Sequence, residues 1–140
     1  MFIGEYSHSL DDKGRVVVPV KFRDRLAGAV MTKGRDGCLC LYPQDEWERV
    51  ASEAREMSKR GSNERQAVRT FFAGATDAAP DKQGRVALPQ HLREFAGVDR
   101  EVVVAGVYSR VEIWDRDRWQ ARATQGDDAI AGDDLPDFGI

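Results

Sequence analysis

The strongest constraint on this chain is a motif that occurs twice. Asp11-Asp12-Lys13-Gly14-Arg15-Val16-Val17-Val18-Pro19 returns seventy residues later as Asp81-Lys82-Gln83-Gly84-Arg85-Val86-Ala87-Leu88-Pro89. Each copy sets an Asp four residues before an Arg, a Gly directly before that Arg, and an apolar run that stops at Pro. A polar, Gly-containing turn feeding such a run predicts a hairpin tip that enters a strand.

The repetition covers more than the motif. At an offset of 70, Phe2 matches Phe72, Gly4 matches Gly74, Pro19 matches Pro89 and Arg23 matches Arg93. After a two-residue slip, Gly34 matches Gly106, Asp45 matches Asp117, Trp47 matches Trp119 and Ala51 matches Ala123. Anchors that persist through a whole unit mark an internal repeat.

Each unit predicts one layout. Residues 2–7 form a strand, 10–14 a turn, and 15–18 a second strand ending at Pro19. Pro19 opens a short helix to Leu26, since Pro is tolerated at a first helical position. Strands follow at 29–32 and 38–42. Cys38-Leu39-Cys40-Leu41-Tyr42 is apolar throughout, which suits a strand covered on both faces. An amphipathic helix then starts near Asp45, with Trp47, Val50, Ala51, Ala54 and Met57 at helical spacing. Asn63 with Gln66 reads as a capping box for the next helix. The second unit begins at Phe72, repeats the helix at 90–96 and the strands at 101–105 and 110–114, and ends in a helix from Asp115 to Thr124. From Gly126 the chain is acidic, Gly-containing and weakly apolar, and is expected to be a disordered or loosely docked tail.

One unit of this size is too small to build a stable core, so two need each other. The expected fold is α+β, mainly β: a pseudo-two-fold β-barrel of two repeated β-rich units with short flanking helices. That symmetry would bring the two tips close together on one face.

Charge bears on the partner. The 140 residues carry a net charge of −3, but the last fourteen hold five Asp and no Lys or Arg. Without them, 21 basic residues face 19 acidic ones. Residues 1–35 hold seven basic and four acidic residues, and a local basic face governs phosphate attraction more than the whole-chain balance. No apolar run approaches the roughly 20 residues of a membrane span. The first ten residues lack the basic and apolar regions of a secretory signal, so the expected compartment is the cytoplasm.

Catalytic and metal chemistry find little support. Cys38-x-Cys40 has no second ligand pair at zinc spacing, and the cysteines read as small strand hydrophobes. His8 and His91 are isolated. There is no P-loop and no G-x-S-x-G. Asp11 and Asp81 could suggest an aspartic-protease dyad, but each precedes an Arg that would hold it ionised. No enzyme activity, cofactor, metal or small-molecule substrate is expected.

A single tip could be only an ion pair that stiffens a loop. Two equivalent tips suggest paired guanidinium groups facing outward, suited to guanine edges and phosphates. In that reading Arg15 and Arg85 make those contacts, with Lys13 and Gln83 flanking them as a phosphate contact and a hydrogen-bonding contact. Asp11, Asp81, Gly14 and Gly84 orient the loops. Lys21, Arg23, Arg25 and Arg93 could widen the basic surface.

The start Met1-Phe2-Ile3-Gly4-Glu5-Tyr6, the run Leu10 to Arg15, Pro19 to Arg23, the second motif at Asp81 to Pro89, and Glu112-Ile113-Trp114 closely resemble the MraZ family. The resemblance reaches to about Gly126. It implies two SpoVT/AbrB-like domains of swapped-hairpin type, at 5–48 and 76–119, with a helical connector at 49–75. Residues 120–140 would hold a helix end and the acidic tail. It further implies self-association into a ring and a regulator that binds direct repeats in double-stranded DNA. Those repeats lie upstream of the division and cell-wall gene cluster, which includes the regulator's own gene. Repression is the expected sign, and the nucleoid the expected location. Its D-x-x-x-R tips would carry DNA binding at Asp11, Arg15, Asp81 and Arg85. The alternative is an AbrB-like antitoxin or protein-interaction module that uses the acidic tail.

Overall fold

The computed structural model describes residues 1–137 and 139. Its strands are β1 (Phe2–Ser9), β2 (Arg15–Val17), β3 (Val30–Lys33), β4 (Leu39–Tyr42), β5 (Thr76–Asp77), β6 (Arg85–Ala87), β7 (Glu101–Tyr108) and β8 (Arg110–Asp115). Its helices are α1 (Val20–Arg23), α2 (Gln44–Met57), α3 (Ser62–Ala73), α4 (Gln90–Ala96) and α5 (Arg116–Ala131).

Antiparallel pairing gives one six-stranded sheet in the order β1-β7-β8-β4-β3-β5 and a separate ladder of β2 with β6. The units exchange strands: β1 of the first pairs with β7 of the second, and β5 of the second with β3 of the first, while β3–β4 and β7–β8 pair within a unit. Two rungs mark the pseudo-two-fold axis. Val16 lies opposite Val86, its own equivalent at offset 70, and Cys40 lies opposite Glu112, its equivalent at offset 72. A residue can face its own copy across antiparallel strands only where the two-fold passes. The two-residue slip in the repeat is therefore real.

Alternation of side chains assigns the two faces of the central strands. On β4 and β8, Leu39, Leu41, Val111 and Ile113 point into a core shared by both halves. Val16, Val18, Val86 and Leu88 from the small ladder close that core, together with Phe22 of α1 and Leu92 of α4. Cys38, Cys40, Tyr42 and Trp114 face the other way, under Trp47 and Val50 of α2, Phe71 of α3 and Trp119 of α5. The ladder and the long helices thus occupy opposite faces of the sheet. Trp47 stacks on Phe71 with ring centroids 5.7 Å apart, and the Trp119 indole donates to Glu5 at 2.9 Å. Both tryptophans are partly buried by packing within the chain.

The α+β, mainly β class stands; the pairing of the described residues gives a six-stranded sheet and a separate ladder and does not by itself close a barrel. Three expectations change. Phe72 lies in α3 rather than in a strand, and β5 is only two residues long. There Phe72 meets Trp47 edge-on at 5.8 Å, and that packing holds the helix through Ala73. Asn63 does not cap α3. Gly61 occupies the cap position with no side-chain bond, and Ser62 is the first helical residue. Gly126 lies inside α5, which runs on to Ala131 from an Asp115 cap accepting the Arg118 N–H at 3.1 Å. The tail expectation also reaches Phe138 and Ile140, which lie outside the described residues.

No helix among the described residues is long and apolar enough to cross a membrane. Phe22 is buried and meets Phe2 and Tyr6 edge-on at 5.2 and 5.7 Å. Phe22→Ala is therefore expected to cost about 3–5 kcal/mol, read as a lowered urea midpoint.

Candidate nucleic-acid interface

Each tip is a loop closed by its own Asp. The Asp11 carboxylate accepts the backbone N–H groups of Lys13 and Arg15 through one oxygen, at 3.0 and 2.9 Å. Its other oxygen takes the Arg15 Nε–H at 2.7 Å. Asp81 does the same with the N–H groups of Gln83 and Arg85 and with the Arg85 Nε–H, each at 2.9 Å. Backbone bonds close both loops: Asp11 donates to Arg15 O and Asp81 to Arg85 O, each at 2.9 Å. Gly14 and Gly84 have φ of +74° and +78°, a conformation that costs an L side chain about 1–2 kcal/mol. These bonds explain why Asp, Gly and Arg recur at that spacing.

Electrostatics keep both carboxylates charged. The Arg15 backbone N–H, then the Arg15 side chain, holds the Asp11 carboxyl below its usual range. Arg85 acts on Asp81 in the same order. An ionised Asp in each loop cannot share a proton with its twin, so the protease reading finds no support in this geometry.

The ladder fixes how the tips face. Arg15 lies opposite Ala87, and Val17 opposite Arg85. Val16 and Val86 point inward, so by alternation Arg15, Val17, Arg85 and Ala87 share the outward face. Diagonal neighbours on such a face stand about 7–8 Å apart, so the two arginines form one pair. Their side chains are 26% and 29% exposed, and Lys13 and Gln83 are exposed beside them.

The tips differ in one bond. Gln83 Oε1 accepts an Nη2–H of Arg85 at 3.2 Å, so Arg85 is held by two side chains. Lys13 has no acceptor to offer. Among the described residues, only Asp11 holds the Arg15 side chain.

The other cations suggested by sequence divide into two groups. Lys21 lies over the Tyr6 ring at 5.3 Å, and Arg25 lies over Phe2 at 5.0 Å and pairs with Asp45 at 3.4 Å. Both are occupied within the fold. Arg23 and Arg93 instead bond backbone carbonyls at the ends of the ladder. Sequence reading missed this role, although the match of Arg23 to Arg93 at the offset of the tips was a signal for it.

Cys38 and Cys40 are buried free thiols on the sheet face away from the tips. Their sulfurs and a Glu112 oxygen lie within 4.8 Å of one another. Glu112 is already engaged, accepting Arg110 at 2.7 Å and the Trp114 indole at 2.9 Å. The hydrogen bond to Cys40, and then burial, push the Cys38 thiol up.

A duplicated β-rich scaffold that presents two equivalent Arg tips on one face defines the class: a pseudo-symmetric two-repeat module. The family model of the MraZ protein, whose description adds an antitoxin-like character, matches residues 1–70 and again 71–130. The chain belongs to the MraZ family. It is 47% identical over 132 residues to the transcriptional regulator MraZ of Salinispora arenicola, covering 94% of this chain and 93% of that one. It is 46% identical over 144 residues to that of Syntrophomonas wolfei, with full coverage of both chains. With that of Carboxydothermus hydrogenoformans it shares 49% over 120 residues, 85% of this chain and 84% of the relative. These relatives are named as transcriptional regulators, so the chain is a transcription regulator and not an enzyme.

The pH behaviour of the tips follows from their carboxylates. In carboxyl-detected NMR, Asp11 and Asp81 are expected to titrate below the ordinary range of an Asp carboxyl. A depressed folded-state pKa stabilises the loops fully above about pH 4 and is lost as pH falls through the lowered value. Midpoints at the ordinary Asp value would contradict the loop bonding described.

Proposed function

We propose that the chain is a sequence-specific regulator whose two tips bind double-stranded DNA. The observation that carries this is the pair of arginines on one outward face, each oriented by an ionised Asp. A guanidinium bound through Nε presents its Nη edge, which suits a guanine O6/N7 pair or a phosphate. Lys13 adds a phosphate contact at the first tip and Gln83 a hydrogen-bonding group at the second. The bond from Gln83 to Arg85 makes the second tip the more preorganised one. The less restrained Arg15, with Lys13 beside it, suits affinity.

Two tips per chain bind weakly unless several chains act together. Self-association into a ring would place pairs of tips at regular intervals, matching direct repeats in a promoter. Linked contacts then gain through effective concentration, by about 10² or more when the geometry allows. The proposed target is the division and cell-wall gene cluster, including the regulator's own gene, with repression as the sign. The cytoplasm and nucleoid are the corresponding location. Domain limits of 5–48 and 76–119 with a connector at 49–75, and a swapped-hairpin barrel made by the ladder across the sheet, belong to the same reading.

The antitoxin-like character in the family description favours one alternative, a protein-interaction module. Because α5 reaches Ala131, the discriminating truncation is after Ala131 rather than at Gly126. It should leave DNA binding intact under our reading and abolish partner binding under the alternative.

The direct test is a gel shift on the chain's own upstream region. Arg15→Ala and Arg85→Ala should each lose about 1–3 kcal/mol of specific binding. The double variant should bind only non-specifically. Affinity should fall steeply with salt as phosphate contacts release counterions. A double variant that binds as tightly as wild type would overturn the proposal.

A further inference from the structure

Arg23 belongs to the first half, at the end of α1, yet its guanidinium lies over the tip of the second. A side chain added at Gly84 would overlap the Nε and Cζ of Arg23. Arg93, its equivalent in α4, lies over Gly14 of the first half's tip, where an added Cβ would stand 3.3 Å from its Cζ. Each guanidinium is held in place by its own half. Arg23 Nε donates to Val18 O at 3.0 Å, and Arg93 Nε donates to Leu88 O at 2.9 Å. The residues that supply those carbonyls also reach across. Val18 donates its N–H to Gly84 O and Leu88 donates its N–H to Gly14 O, both at 2.9 Å.

We infer that Arg23 and Arg93 are positioning residues that act crosswise, each holding the Arg-bearing tip of the opposite half. A planar guanidinium can lie against a backbone only where no Cβ intervenes, and each tip supplies a glycine at that point. The glycine therefore does two things: it adopts the left-handed turn and it receives the arginine of the other half. A helix arginine that is merely solvated would explain neither the Nε bond nor the symmetric repetition of both contacts. The consequence is that neither tip is ordered by its own half alone. Tip order is a property of the assembled pair, and a disturbance in one half appears at the other half's reading head.

The consequence for DNA rests on the proposed binding role of the tips; the crosswise contact itself does not. The test uses the full chain as Arg23→Lys and Arg93→Lys, which keep the charge and lose the flat fork. Amide ¹⁵N order parameters are measured at Gly14, Arg15, Gly84 and Arg85. Arg93→Lys is expected to loosen Gly14 and Arg15 and leave Gly84 and Arg85 unchanged, and Arg23→Lys to do the reverse. The unmoved tip is the internal control, since a general loss of fold would loosen both. Loosening of the same half's tip, of both tips, or of neither overturns the inference. On promoter DNA, Arg23→Ala and Arg93→Ala should weaken binding while the salt slope is kept. A slope reduced by about one for each variant identifies a phosphate contact instead and overturns the positioning role. If wild type binds no promoter DNA, the DNA reading fails, and the crosswise contact is decided by the order parameters.

Discussion

The structure depends on a ladder of two three-residue strands. Val16 and Val86 face each other across the pseudo-two-fold axis and point into the core, and neither strand has another partner among the described residues. So short a pairing is marginal by itself, because isolated two-stranded pairs are barely stable in water. It persists because the inward residues on both strands complete a core that draws on both halves. Folding of either unit alone would leave Val16, Val18 and Phe22, or Val86, Leu88 and Leu92, without the opposing layer. The duplication is thus an energetic requirement as well as a record in the sequence.

The same ladder that closes the core sets the tips. Its inward positions are apolar and its outward positions carry Arg15 and Arg85, so packing on one face decides presentation on the other. A one-residue slip of either strand against the other would turn that strand's arginine inward and its valine out. Two sets of bonds oppose the slip. Each Asp fixes where its own strand begins, and Arg23 and Arg93 tie the strand ends to the opposite loops. The second side of the sheet, covered by α2, α3 and α5, is left to packing of the aromatic cluster.

The repeat made most of the fold legible. Every strand-and-helix pair from Pro19 to Tyr42 and from Pro89 to Trp114 falls near its expected place, because β-branched runs between turn residues and Pro-started helices are local signals. The tip residues were legible for the same reason: Asp, Gly and Arg are dictated by a loop that satisfies its own hydrogen bonds. Expectations failed where a distant residue decides the outcome. Phe72 matches Phe2 in sequence, but Trp47 and Phe71 hold it in a helix. Gly126 read as the start of a tail because the residues from there on are acidic and weakly apolar, but the helix capped by Asp115 continues through it to Ala131.

By itself the sequence determined a duplicated β-rich unit, its loop chemistry and the identity of the two arginines. Those follow from interactions within a few residues, where spacing alone decides who meets whom. Only the tertiary structure decided that β1 and β5 pair with strands of the opposite half. The outward, diagonal placement of Arg15 and Arg85, and the crossing of Arg23 and Arg93 to the opposite tip, were likewise settled there. Those depend on contacts between residues about seventy positions apart, and no local pattern carries the register in which two halves meet.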